Sequence, residues 1–322
     1  MTALRRLSIL SLVLGTGHVI FGAVVRITGS GLGCGDHWPK CHGDWFPPLE
    51  RTDLIIEVMH RYFAATLSLA IIALFAVAFI RRKTPGVGGP RGVLRAAIAA
   101  AVLVIAAALF GAATVKLELG NKLVIVTHLA IAMTLLGVLV SAAMRAGGLG
   151  AAHASVGTAS AKTWRGARVA VGLTFAVLVL GAFTAHLPGA NSSCVGFPLC
   201  RGSLIPDSTQ HIQFTHRILA FLLFFHLLGL AVAVRRRGES SLMIRAAAVA
   251  FASVLVQLLV AAALVELRLP PILRSLHQAV GTLVWVAVVV LALLTRRGAF
   301  GAGVPAAVTA PRPTLRAAEV AT

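Results

Sequence analysis

Eight long apolar stretches run along the chain, over residues 8–25, 62–80, 96–115, 123–144, 169–187, 218–234, 246–265 and 275–295, and none contains Asp, Glu, Lys or Arg. Each approaches the roughly 20 residues that a helix needs to cross about 30 Å of hydrocarbon. The pattern predicts an all-α polytopic membrane protein with eight transmembrane helices. Composition agrees: 58% of the residues are hydrophobic and 12% are charged, against about 45–50% and about 25% in an average soluble domain. A soluble fold of this length has no interior large enough for that much apolar surface, which excludes a soluble enzyme or a soluble DNA-binding protein.

The net charge of +19 raises the question of a polyanionic partner. With the N-terminus placed in the cytoplasm, 19 of the 29 basic residues fall inside, among them Arg5, Arg6, Arg81–Lys83, Arg235–Arg237, Arg312 and Arg316, and 10 fall outside. That bias follows the positive-inside rule. The clusters are short arginine runs at helix ends, without the interleaved aromatics of a single-strand binder. The charge therefore reads as topology, with no nucleic acid partner. Both termini are expected in the cytoplasm of a bacterial cell, with membrane lipid as the surrounding partner. No cleavable signal is expected, because the first apolar run continues to Val25 without a small-x-small site. The stretch 298–322, rich in Ala, Pro and Thr, is expected to be a disordered cytoplasmic tail.

The chain repeats itself. GAVVRITGSGLGCGDHWPKCHG followed by EVMHR is answered by GAFTAHLPGANSSCVGFPLCRG followed by QFTHR. ATVKLELGNKLVIVTH, ending at His128, is answered by ALVELRLPPILRSLH, ending at His277. His60 and His216 lie 156 residues apart, and His128 and His277 lie 149 apart. Two pseudo-symmetric four-helix halves are expected, 1–145 and 165–297, joined by a cytoplasmic linker over 146–164. An even number of helices per half makes them parallel repeats.

His60, His128, His216 and His277 should each open an even-numbered helix, within its first two turns and at one depth. Ionisable residues inside membrane helices face the bundle interior and mark sites. Two imidazoles per half suit the two axial positions of a haem iron in a bundle core. Zinc is the rival, but it usually takes three or four protein ligands. His18 and His226 have no repeat partner and read as packing residues. A Cys2His2 site from His37, His42, Cys34 and Cys41 is a further alternative.

Arg61 and Arg217 follow their histidines, and Arg274 precedes His277 by three. A guanidinium matches a carboxylate, so haem propionates or interfacial snorkelling both account for them. Arg26 has no counterpart in the repeat and is expected to serve the first half. All four cysteines fall in the two outer loops. Two pairs at similar spacing favour the disulfides Cys34–Cys41 and Cys194–Cys200 over the other pairings that four cysteines allow, either pinning the loops or acting as a redox relay. The halves differ three residues before the first histidine, where Glu57 faces Gln213. A carboxylate beside an apolar cavity suits proton movement or stabilisation of positive charge; the alternative is an interfacial residue facing water.

Taken in order, VRITGSGLGCGDHWPKC, EVMHR, Gly111–Val115, GFPLCRG, FTHR and LHQAVGT resemble the haem A synthase family, in its bacterial form with two cysteine pairs, over residues 8–295. The resemblance implies oxidation of the C8 methyl of haem O to the formyl of haem A for terminal oxidases. It implies a permanent haem b on His216 and His277, with Arg217 and Arg274 nearby. It also implies substrate haem O on His60 and His128, with Arg61 and Arg26 nearby and Glu57 as the catalytic carboxylate. A haem O synthase and an electron partner would complete the system. A bis-haem electron-transfer cytochrome or a haem carrier are the other readings of the four histidines. The second loop departs from the first in having FPLC for WPKC and one residue fewer between its cysteines.

Overall fold

The computed structural model describes residues 1–35, 37, 39–149, 157–200 and 210–300. Eight helices account for nearly all of them: α1 (Thr2–Ile27), α2 (Thr52–Ile80), α3 (Val93–Lys116), α4 (Lys122–Arg145), α5 (Ala161–His186), α6 (His211–Arg236), α7 (Ser241–Glu266) and α8 (Pro271–Phe300). All eight are long and apolar enough to cross a membrane. The protein is a multi-pass membrane protein.

Every helix outruns its apolar stretch. Backbone N–H and C=O groups must be satisfied beyond the hydrocarbon edge as well as within it, so charged residues are carried in the terminal turns. Thus α5 starts at Ala161 rather than in the mid-160s. Its N-cap Ser160 accepts from the Thr163 amide, and Glu239 from the α6–α7 turn accepts from the Ser160 amide at 3.1 Å and from the Thr163 hydroxyl. Residues 298–300, expected in the tail, form the last turn of α8. The rest of that tail (301–322) and linker residues 150–156, with His153, lie outside the described residues.

Within each half the helices close a ring. The first packs α1 on α2, α2 on α3, α3 on α4 and α4 on α1; α5 to α8 repeat the scheme. The halves meet along α1, α4, α5 and α8. At that seam the buried Trp285 indole on α8 donates to the Met133 carbonyl on α4 at 2.8 Å. Large side chains such as Leu69, Ile105, Phe225 and Leu259 are exposed around the outside, as a lipid-facing surface requires.

The repeat extends to backbone detail. Glu118 and Leu119, between α3 and α4, both take left-handed φ, and so do Arg268 and Leu269 between α7 and α8. In each turn three amides return to the preceding helix in the same pattern, as in Leu119 N to Thr114 O and Leu269 N to Leu264 O. This fixes the register of α3 on α7 at 150 residues. Asn121 caps α4 by accepting from the amides of Leu123 and Val124, whereas α8 begins on Pro271, where no amide hydrogen is needed.

Candidate functional site

Both cysteine loops lie on one face of the bundle, the face that also holds the α3–α4 and α7–α8 turns. The disulfides pair as expected, Cys34 with Cys41 and Cys194 with Cys200, with Cα atoms 4.8 Å and 4.9 Å apart. This removes the Cys2His2 alternative, because the sulfurs bond each other. The first disulfide packs on Leu54 and Val58 of α2. Gly33 is needed there, since a Cβ would sit 3.3 Å from the Asp53 backbone.

Glu57 is buried, which overturns the reading of it as a water-facing residue. One carboxylate oxygen accepts from the Cys34 amide at 2.9 Å, and the other pairs with the Arg61 guanidinium. Gln213 has the same position in the second half, accepting from the Cys194 amide at 2.9 Å. The two residues do one structural job, tying α2 or α6 to the first cysteine of its loop. What separates them is charge.

Arg61 and Arg217 share a task as well, and it differs from the expected one. Arg61 donates to the carbonyls of His37, Pro39 and Lys40, and Arg217 to those of Cys194, Gly196 and Pro198. A loop with a disulfide turn points several carbonyls at the helix end, and a guanidinium has enough donors to collect them. The structure gives both arginines loop partners, and Arg217 also lines the second-half cavity.

Arg26 is also corrected. It was assigned to the first half, yet its side chain lines the cavity of the second, together with Arg274. It sits at the end of α1, the first-half helix along the seam, so it reaches across. Arg26 and Arg274 are near enough for their charges to repel, and neither has a hydrogen bond or ion pair among the described residues. Two half-buried cations at the end of an apolar cavity suit a ligand that carries carboxylates.

His216 and His277 line that same cavity, whose walls are mostly apolar. The His216 Nδ1 lies 3.1 Å from the Val177 carbonyl, so it carries the proton and Nε2 is free for a metal. His277 is held by Gln257 of α7, whose amide nitrogen lies 3.1 Å from its Nδ1 and 3.3 Å from its Nε2 and donates to its backbone carbonyl at 3.0 Å. Glycines admit the rings: a Cβ on Gly181 would meet His216 at 3.0 Å. An apolar slot, two imidazoles and two free guanidinia fit a haem with its carboxylates at the cysteine-loop end.

In the first half His60 stacks on His18 with ring centroids 4.2 Å apart, and both lie within electrostatic reach of His128. Gly22 of α1 and Gly111 of α3 give His60 and His128 their space, as a Cβ would stand 3.1 Å and 3.2 Å from the rings. His60 lies in the third turn of α2 rather than the second, because that helix begins at Thr52; the other three histidines hold the expected turns. Among the described residues no three His, Cys, Asp or Glu side chains are grouped to hold a metal ion, so the donors come in pairs. His226 is the packing residue expected, with Nε2 2.8 Å from the Gly166 carbonyl. His18 is not. It and Gln257 are the site residues that repeat matching passed over. Their signal was a polar residue in an apolar run whose counterpart, Val177 or Ala107, is apolar.

Fold and site together define a multi-pass membrane protein with two pseudo-equivalent pairs of half-buried histidines under disulfide-closed loops. The model of the COX15-CtaA family, described as cytochrome oxidase assembly protein, matches residues 5–289, and the chain belongs to that family. A heme A synthase from Alkalihalophilus pseudofirmus is 31% identical over 237 residues, 71% of this chain and 76% of that protein. One from Symbiobacterium thermophilum is 31% identical over 263 residues, 78% of this chain and 82% of that protein. A stretch of 56 residues, 17% of this chain, is 46% identical to 9% of a Thermus thermophilus protein named protoheme IX farnesyltransferase.

Proposed function

We propose that this chain is a haem A synthase, an oxidoreductase that converts the C8 methyl of haem O to the formyl group of haem A. The observation that carries the reading is the doubled pair of half-buried histidines, His60 with His128 and His216 with His277, in a chain similar to heme A synthases over most of its length. The second half takes haem b between His216 and His277, with Arg26 and Arg274 toward its carboxylates. When bound, that haem supplies electron transfer. The first half takes the substrate haem O at His60 and His128. Since the reacting methyl is at the macrocycle edge, two axial imidazoles leave it accessible.

Glu57 is the acidic group of the first half. Its ion pair with Arg61 holds a negative charge beneath the cysteine loop, where the second half has a neutral amide. Proton removal from the reacting carbon, or stabilisation of positive charge there, is its role. The cysteine loops are outside and both termini are cytoplasmic in a bacterial cell membrane, which the arginines at the opposite helix ends support. A haem O synthase and an electron partner act with the protein; the short match to a farnesyltransferase supports the first of these.

The test is to supply haem O to the purified protein with an electron partner and to identify the extracted pigments by mass. Haem A should form. Two bound haems without haem A would instead make the protein an electron-transfer cytochrome.

A further inference from the structure

On the face opposite the cysteine loops, a cleft of about 280 Å³ opens between α3 and α4. Ala96, Ala99 and Val138 leave it its space, and Arg95, Ser141 and Arg145 are its polar groups. Arg145 closes α4 and donates to the Gly92 carbonyl at 3.0 Å, its single hydrogen bond among the described residues. Arg95, in the first turn of α3, makes no hydrogen bond or ion pair among the described residues, and the Ser141 hydroxyl makes none either. Arg296 and Arg297, near the end of α8, stand within electrostatic reach of Arg145, and Arg297 is held there by the Met144 carbonyl at 3.1 Å. Four guanidinia thus share one corner of the bundle. No carboxylate among the described residues offsets them. Glu239 is the one acidic residue described on this face, and it is taken up by Ser160 and Thr163 at the start of α5.

The geometry points to a binding site for an anionic phospholipid, with the headgroup phosphate between Arg95 and Arg145 and the Ser141 hydroxyl as a further donor. Guanidinium forks match phosphate oxygens, and basic pockets between membrane helices take such headgroups. The positive-inside rule accounts for arginines scattered along this face, but not for two that line one cleft. The second half follows the rule without the pair. There the 150-residue register carries Arg95 onto Arg245, whose Nε turns back to the Ser241 carbonyl, and the 149-residue offset carries Arg145 onto buried Leu294. The bilayer is the source of the phosphate, because the apolar side of the cleft continues along α3 into exposed Val102 and Ile105. That surface suits an acyl chain, and a free phosphate ion would leave it bare. A zwitterionic lipid fits poorly, since its amine would join four guanidinia. The site stands apart from both histidine pairs, which lie toward the opposite face.

Native mass spectrometry of the purified full-length protein, titrated with phosphatidylglycerol or with phosphatidylcholine of the same chains, tests the site. The wild type should retain phosphatidylglycerol in preference to phosphatidylcholine. Arg95 has no partner to lose, so Arg95→Gln should keep the fold and weaken phosphatidylglycerol binding about 5-fold, the effect of one cation near a lipid surface. Arg145→Gln should weaken it at least as much, and the double variant about 25-fold. Arg145→Lys, which keeps the charge, should lose less than Arg145→Gln. Arg245→Gln removes the same charge from the same face and should leave the affinity within about 2-fold, since no second guanidinium faces it. Equal weakening in Arg245→Gln and Arg95→Gln would make the attraction diffuse and overturn the site, as would equal retention of the two lipids by the wild type. Displacement of the bound lipid by millimolar inorganic phosphate at constant ionic strength would overturn it too, by making the ligand a free anion.

Discussion

The first and second halves share a backbone but spend their polar groups differently. In the second half, side chains that ring the histidines are neutral donors and acceptors, and cations wait at the cavity end. In the first half, a carboxylate stands under the loop and a third imidazole lies against the first. Under the proposed function, a duplicated scaffold would separate two demands that one site would find hard to meet together, tight retention of a redox group and turnover of a chemically similar one. Local charge and the side chains beside the histidines carry the difference; the helices do not.

The comparison is broken most severely at the histidines. His216→Ala or His277→Ala should abolish the low-spin b-type spectrum of the protein as purified, read by dithionite difference spectroscopy. His60→Ala or His128→Ala should leave much of that spectrum and abolish haem A in pigment extracts. A folded His60→Ala protein that lost all haem would show that the halves do not divide the work.

A smaller effect is expected where the halves differ in charge. Glu57→Gln makes the first half match Gln213 while keeping the acceptor for the Cys34 amide. The fold and the haem content should persist. Haem A formation should fall at least about 100-fold, as for loss of a general acid–base group. Gln213→Glu should change the rate little. Normal haem A with Glu57→Gln would reduce Glu57 to its structural tie.

Arg26→Gln sharpens the comparison at the seam. Removal of a cation favours the oxidised haem, so redox titration should find the second-half potential lowered, although the altered residue belongs to α1. The first-half haem should titrate as before. An effect confined to the first half would return Arg26 to its sequence-based assignment.

The loops should give the smallest change. Each disulfide closes a short ring, so loss of either should cost about 2 kcal/mol or less, near the low end of the usual range, seen as a modest drop in thermal midpoint. Cys34→Ser should still lower haem A yield more than Cys194→Ser, because the first loop also holds the Glu57–Arg61 pair. Equal yields would make the two loops interchangeable.

Much of this was legible in the chain. Apolar runs revealed the eight helices, and paired cysteines in two similar loops revealed the disulfides. The repeat located the four histidines because matching rewards what two segments share. It was blind to His18 and Gln257 for the same reason: each faces an apolar residue in the other half. Arg26 was misplaced because its partner lies across a seam that only tertiary packing creates. Neither propionate contact nor snorkelling, the two sequence readings of the arginines after the histidines, includes the loop carbonyls, because no local pattern shows a loop folding back on them.

That seam has an ancestry written into it. A four-helix half has the shape of a protomer, and two of them side by side along α1, α4, α5 and α8 have the shape of a homodimer joined into one chain. In a true homodimer a residue crossing the boundary is reciprocated by its twin. Here the register of α1 on α5 sets Ala185 opposite Arg26, and Ala185 lines the very cavity that Arg26 enters. Arg26 therefore reaches across without a twin to answer it. Within a single chain nothing enforces that symmetry, so a residue of one half can serve the other without a counterpart.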